Sequence, residues 1–310
     1  MADSTNDMKH SDRGWRRAGH AIAQAARVLT GQQMAGRNLT VYPDDIFLVS
    51  YPRSGNTWMR FLLGNLVDQN DPVTFANVES RVPEIYFNSD HAMRALPRPR
   101  LLKSHECFQP NYRRVIYIVR DPRDVAVSFY HHNVKARNVP DDYPMRDFVP
   151  RFINAEFDPK WGSWSDHVRS WLLLRQGQRD FIVLRYEDMK HDTAGELGRV
   201  ALFLDGYSFP GVQRSPGALQ RAIELGSPER MRAMEKSQAQ NWVLTKSTRP
   251  DKPFIRSAIS GGWKSALPEE SVALLERAWG NLMRGLGYEL HGSATPSDTI
   301  IQPSLSVTPG

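Results

Sequence analysis

The chain has 310 residues, 40% of them apolar and 24% charged, with 40 Lys and Arg against 34 Asp and Glu for a formal net charge of +6. That is the make-up of a globular protein with room for one large α/β domain or two small ones, and the basic excess is too diffuse to point to nucleic acid. A single cysteine, Cys107, excludes a disulfide framework or a cysteine-rich zinc site within the chain, and no stretch approaches the roughly 20 apolar residues of a membrane span.

The opening MADSTNDMKHSDRGWRR lacks an apolar signal core, so a cytoplasmic location is expected. Residues 1–38 read as a partly ordered arm. Positions 1–40 hold six Lys or Arg against three Asp, and the Ala-rich piece Gly19–Thr30 suits a short amphipathic helix. Such an arm either packs on the domain or covers a site or a partner contact. Residues 39–290 show no Pro/Gly linker and no internal repeat, and read as one domain. Residues 291–310, rich in Ser, Thr and Pro, read as a disordered tail.

Inside the domain, short apolar runs alternate with helical patterns. Asp45–Ser50 is a candidate buried strand, followed by a helix over Thr57–Leu66. Leu101–Lys103 is a shorter strand candidate. Val115–Val119 is followed by a helix over Arg123–Lys135, and Phe181–Leu184 by one over Thr193–Phe203. Strand-then-helix repetition predicts an α/β fold: a single domain with a central parallel sheet flanked by helices and right-handed crossovers. Ligands in such folds sit at the carboxyl ends of the strands.

After the first strand comes Tyr51-Pro52-Arg53-Ser54-Gly55-Asn56-Thr57-Trp58. Gly55 permits a tight turn, Asn56 or Thr57 suits a helix cap, Arg53 adds charge, and a helix start adds a positive dipole end. This P-loop-like turn fits a phosphate or sulfate group, and the same residues also fit an ordinary capped strand-to-helix turn. No G-x-x-x-x-G-K-[ST] occurs, which removes the main support for an ATPase or GTPase. After Val115–Val119, Arg120 stands at the strand end, with Asp121 as N-cap and Pro122 in the first helical turn. Ser128 follows two helical turns on. The two residues suit one anion, or a charged amphipathic helix surface. His105, after Leu101-Leu102-Lys103-Ser104, is by itself an ordinary loop histidine, and Tyr186 an ordinary strand-end tyrosine.

Taken together, the segments resemble the cytosolic-type sulfotransferases that use 3′-phosphoadenosine 5′-phosphosulfate (PAPS). YPRSGNTW is similar to the family's Y-P-K-S-G-T-T-W, with Arg53 in place of the lysine. Arg120–His131 is similar to R-N-x-K-D-V-A-V-S-Y-Y-H, Leu101–His105 to L-L-K-T/S-H, and Tyr186–Met189 to Y-E-D-M/L. Phe254–Lys264 is similar to F-x-R-K-G-x-x-G-D-W-K, with Ser257, Ala258 and Gly262 where the family has Lys, Gly and Asp. The resemblance runs from about Asp45 to Leu290.

The resemblance implies in-line transfer of a sulfonate group from PAPS to a hydroxyl or amine of a small acceptor, releasing adenosine 3′,5′-bisphosphate (PAP), with no metal. It gives His105 the role of general base, with Lys103 and Arg53 stabilising the leaving phosphate. It makes Arg53, Ser54, Gly55, Asn56 and Thr57 the phosphosulfate-binding loop and sets Trp58 and Tyr186 against adenine. Arg120, Ser128 and Arg256 would hold the 3′-phosphate. Lys264, Ser271-Val272 and Glu276 resemble the family's dimer motif K-x-x-x-T-V-x-x-x-E with three extra residues, so a monomer or weak homodimer is expected.

Two other readings stay open: a catalytically weak nucleotide-binding relative, suggested by Arg53, Ser257 and Ala258, and a divergent nucleotide kinase. The acceptor is assigned to the loops Asp71–Pro99 and Asn133–Trp164, where Pro72–Pro83 and Phe148–Phe152 offer apolar side chains. These suit a phenol, lipid or alcohol, with a sugar or natural-product scaffold also open. Trp161–Trp164 and Trp171 read as core packing, Asp166 and His167 as surface residues, and Cys107 as packing. His131 and His132, being adjacent, face different directions and suit no metal.

Overall fold

Five consecutive buried residues, Ile46–Ser50, form strand β1; Leu101–Ser104 (β2), Arg114–Val119 (β3) and Phe181–Arg185 (β4) join it in a sheet of order β2-β1-β3-β4. This computed structural model describes residues 35–256 and 258–291; most of the N-terminal arm with Gly19–Thr30, Ser257 and positions 292–310 lie outside the described residues. All pairings are parallel, with Phe47 opposite both Leu102 and Val115, and Tyr117 opposite Val183. Near-continuous apolar strands are what a parallel sheet covered on both faces requires.

Alternation along the strands divides the core in two. Phe47, Val49, Val115 and Tyr117 face one cluster, while Ile46, Leu48, Ile116 and Ile118 face the other. The longer helices are α1 (Asn56–Val67), α2 (Pro122–Lys135), α3 (Met145–Ile153), α4 (Trp164–Arg175), α5 (Tyr186–His191), α6 (Thr193–Asp205), α7 (Pro216–Leu225), α8 (Pro228–Gln238) and α9 (Glu269–Gly285). Helices α2, α3, α4 and α9 cover the first face through Val125, Phe148, Trp171 and Leu275. Helices α1, α6 and α7 cover the second through Leu62, Val200 and Ala222. Among the described residues no helix is long and apolar enough to cross a membrane.

The expected strands and helices are present with shifted ends. Asp45 stays outside β1 because its carboxylate turns to Arg100 and to the backbone N–H of Tyr42. The helix expected from Thr193 runs on to Asp205, and a short helix, α5, precedes it. Neither Asn56 nor Thr57 caps α1: the N-cap is Gly55, and the Asn56 amide donates back to Ser50 Oγ at 3.1 Å. Asp121 does cap α2, its carboxylate accepting from Arg123 N, with Pro122 in the first turn.

His167 is fully buried rather than on the surface. Two partners account for this: Tyr117 Oη lies 2.9 Å from Nδ1, and Nε2 lies 3.1 Å from the His105 carbonyl. A carbonyl only accepts, so Nε2 carries the proton and Nδ1 accepts from the tyrosine. Asp166 is exposed and completes a capping box with Ser163.

The chain leaves β1 for β2 on one side and β3 for β4 on the other. The carboxyl ends of the adjacent strands β1 and β3 therefore flank a topological switch point, where open parallel sheets place their ligand crevice.

Candidate active site at the switch point

The turn after β1 is held in an unusual backbone state. Arg53 has φ 69° and Gly55 φ 100°. A left-handed residue with a side chain costs about 1 kcal/mol or more, so contacts must hold Arg53 there. Its carbonyl accepts from Arg120 Nη1 at 3.2 Å, its Nε donates to Ser128 Oγ at 3.2 Å, and its guanidinium lies 4.7 Å over the Phe254 ring. At Gly55 no side chain is possible: a Cβ there would stand 2.5 Å from Cδ2 of Tyr186. Ser54 is buried beneath the turn, and its hydroxyl has no hydrogen-bond partner among the described residues.

Three guanidinium groups meet across this turn. Arg120, at the end of β3, donates to Arg53 O and, at 3.1 Å, to Ile259 O; it also lies 4.1 Å over the Tyr186 ring. Burial, then Arg120 and Arg256, lower the Arg53 guanidinium from its ordinary value to about 10. Burial and Arg120 lower Arg256 as well. Arg120 Nε and Arg256 Nη1 are buried without hydrogen-bond partners among the described residues. The nearest carboxylate, Asp124, is 4.0 Å from Arg120. Mutually repelling cations with unmet donors form a cradle that an anion completes. Trp58 borders it, its Nε1–H bonded to Gly226 O at 3.1 Å and its ring edge-on to Tyr186 at 5.9 Å.

Two carboxylates that the sequence did not single out tie down the segment bearing Arg256. Asp124 on α2 accepts from Gly261 N at 2.7 Å and Trp263 N at 2.9 Å. Glu235 on α8 accepts from Phe254 N and Ile255 N. Ala258 sits there at φ 51°, a left-handed position at which glycine would be unstrained.

At the end of β2, His105 Nδ1 lies 2.6 Å from the carbonyl of Ser50. The carbonyl can only accept, so the proton is on Nδ1 and Nε2 keeps its lone pair. Burial first, then the Lys103 charge, hold the imidazole well below its ordinary pKa of 6.5, so it is neutral at physiological pH. Lys103, on the same strand, is buried, and its ammonium is paired with Glu84.

These groups line one cavity of about 410 Å³. Arg53, Gly55, Asn56, Thr57, Trp58, Arg120, Ser128, Tyr186 and Arg256 border it together with Lys103 and His105; Ser54 lies under the wall. Its other end is aromatic: Trp161 packs on Tyr86 at 4.8 Å and edge-on to His105 at 5.8 Å, with Phe87 and Phe129 nearby in the lining. Trp161 is thus both core and cavity wall. His132 also lines the cavity, its pKa lowered to about 3 by burial and Arg53, whereas His131 is exposed. Cys107 is half-buried and bonds to Trp161 O.

A family model described as sulfotransferase domain matches residues 43–287. Human sulfotransferase 2B1 is 29% identical over 266 residues, 82% of this chain and 70% of that protein. Rabbit (Oryctolagus cuniculus) sulfotransferase 1C2 is 27% identical over 270 residues, 80% of this chain and 86% of that protein. Mouse sulfotransferase SULT7A1 complexed with PAP shares the fold at a TM-score of 0.64 and 23% identity, over 81% of this chain and 87% of that one. Retinol dehydratase, complexed with androsterone and inactive cofactor PAP, does so at 0.65 and 20%, over 83% and 85%. Since the family model spans the whole sheet and the turns that end its strands, the chain belongs to the sulfotransferase domain family, that of the PAPS-dependent sulfotransferases.

Proposed function

We propose that the chain transfers the sulfonate group of PAPS to a hydroxyl or amine of a small acceptor, with His105 as the general base. The observation that carries this is the joining, in one cavity, of a three-arginine anion cradle to a neutral histidine with a free Nε2. PAPS would supply an activated sulfonate and two separate phosphate groups. The turn at Arg53–Thr57 suits the 5′-phosphosulfate, and Arg120, Ser128 and Arg256 suit the 3′-phosphate. The unpartnered donors of Arg120 and Arg256 fit such a dianion. Trp58 and Tyr186 offer faces for the adenine.

His105 Nε2 takes the acceptor proton as the acceptor oxygen or nitrogen bonds to sulfur. Lys103 and Arg53 stabilise the charge left on the 5′-phosphate as the bond from sulfur to its bridging oxygen breaks, and PAP departs with the electron pair. Positioning and charge stabilisation supply most of the rate, as in phosphoryl transfer. The aromatic end of the cavity, Tyr86, Phe87, Phe129 and Trp161, suits the body of the acceptor. Mouse SULT7A1, complexed with PAP, and retinol dehydratase, complexed with androsterone and PAP, support a nucleotide and a small organic molecule as the ligands. A chain with a single cysteine suits action in the cytoplasm.

The test is calorimetric titration with PAP, AMP and ATP, followed by PAPS turnover with phenolic and alcoholic acceptors. Tight binding that requires the 3′-phosphate, followed by sulfonated product, is expected. Binding of PAP no tighter than AMP would sink the proposal.

A further inference from the structure

The carboxylate of Glu84 is locked in place beside Lys103 by the backbone. Lys103 N donates to Pro83 O at 2.9 Å and Ile85 N to Lys103 O at 3.2 Å, a parallel bridge that adds this segment to the free edge of β2. The Glu84 N–H is held at 2.8 Å by Glu79 Oε2. The Glu84 and Lys103 side chains are both nearly inaccessible, at 5% and 4%, yet both border the cavity. Glu84 Oε1 receives the Lys103 ammonium, while Oε2 stands 3.9 Å from Arg60 Nη1.

Arg60 makes its hydrogen bonds elsewhere and reaches that carboxylate only as a longer ion pair. It donates to Val82 O at 2.8 Å and to Glu79 Oε1 at 2.7 Å, and Glu79 is steadied further by Trp242 Nε1–H at 3.0 Å. Arg60's close counter-ion is Glu79, and the close partner of Glu84 is Lys103. An ammonium withdrawn from water reverts to the neutral amine unless a carboxylate holds its charge.

We propose that Glu84 is the positioning residue for Lys103: it keeps the ammonium protonated and fixed on the cavity wall shared with His105, ready for the charge that develops on the leaving phosphate. This rests on the sulfotransferase reading of the site. Even with Glu84 present, burial lowers Lys103 to about 8, and Glu84 is the largest influence raising it. Loss of the carboxylate therefore leaves a largely neutral amine at physiological pH. Glu84 touches no reacting atom in this scheme and acts through Lys103.

The test uses the full chain and the variants Glu84→Gln, Glu84→Asp, Lys103→Ala and the Gln/Ala double variant. Calorimetry reads PAP affinity, and PAPS turnover is followed across neutral and mildly alkaline pH with 2-naphthol and with water alone as acceptor. For Glu84→Gln, kcat/KM should fall about tenfold or more and its alkaline limb should move down by about one pH unit, with PAP affinity within about threefold. In the Lys103→Ala background the same change should cost less than about twofold, because its target is gone. An unmoved alkaline limb, or losses that multiply in the double variant, would overturn the proposal. If the Gln variant does not fold, Glu84→Asp decides: a retained alkaline limb with reduced turnover supports positioning, and wild-type turnover refutes it. A wild-type chain that neither binds PAP nor consumes PAPS overturns the sulfotransferase reading and this one with it, whereas an active wild type with an indifferent Glu84 overturns this one alone.

Discussion

Replacing Arg120 with alanine tests how the cradle divides its work between the two phosphates. The side chain now spends its Nη donors on the carbonyls of Arg53 and Ile259, at 3.2 and 3.1 Å, and leaves Nε unmet. A charge-assisted hydrogen bond to a phosphate is worth about 1.5–3 kcal/mol, which is roughly 10–150-fold in Kd. Arg120→Ala should weaken PAP by that factor. AMP, which has no 3′-phosphate, should weaken by less than about threefold, the share due to a looser Arg53 turn. The variant should fold: Arg120 repels Arg53 and Arg256, and the bond it makes to Trp164 Nε1–H uses its carbonyl. Calorimetry of both nucleotides on both proteins gives the double ratio directly. An equal loss for AMP and PAP would mean that Arg120 only supports the turn, and would refute its assignment to the 3′-phosphate.

The pH profile and the turn glycine provide two further tests. His105 is held well below its usual 6.5 and Lys103 lies at about 8, so kcat/KM should stay level through neutral pH. It should fall on the alkaline side as Lys103 loses its proton, and an acid limb at the ordinary histidine pKa in a pH–rate profile would contradict the buried neutral base. His105→Ala should lower turnover by about 10²–10⁴-fold with PAP affinity kept within about threefold, and near-normal turnover would remove the base assignment. Gly55→Ala meets a left-handed φ and the Tyr186 ring at once, and should cost about 2–4 kcal/mol in denaturant unfolding together with weaker PAP binding. Unchanged stability would show that the turn is softer than its contacts imply.

How far the sequence could be read depended on how local each feature is. The strands were legible because Ile46–Val49 and Val115–Val119 are unbroken apolar runs, and Arg53 and Arg120 because they adjoin strand ends in a recognisable order. Glu84 was not legible, since nothing in RVPEIYF marks a carboxylate that meets Lys103 across a bridge some twenty residues away. His167 was misread for a similar reason. Its neighbour Asp166 is an exposed helix-start residue, while its own ring is enclosed by Tyr117 from β3 and the carbonyl after β2. Trp161 was assigned to the core alone because one aromatic among several carries no sign of which cavity it borders. The roles of Asp124 and Glu235 are to hold the backbone of a distant segment, which no local pattern encodes.

The site treats its buried cations in two opposite ways, and the difference follows from when each charge is needed. Arg53, Arg120 and Arg256 repel one another, with Arg120 Nε and Arg256 Nη1 unmet among the described residues and the Asp124 carboxylate only at 4.0 Å from Arg120, an arrangement that weakens the ligand-free fold. A ligand bearing phosphates supplies the missing anions, so its binding energy includes relief of that repulsion and should appear as a rise in Tm with PAP concentration. Lys103 faces a different demand. Its partner charge develops only as the bond to sulfur breaks, so the ground state must hold the ammonium by other means, and Glu84 does so from the edge of the same sheet. Arg53 can wait for its anion because a guanidinium stays charged even when lowered to about 10, whereas Lys103 is lowered to about 8 even with Glu84 beside it. On this logic, Arg53 in place of lysine in the turn is tolerable where no carboxylate stands beside it, and Lys103 is the position at which a nearby carboxylate is required.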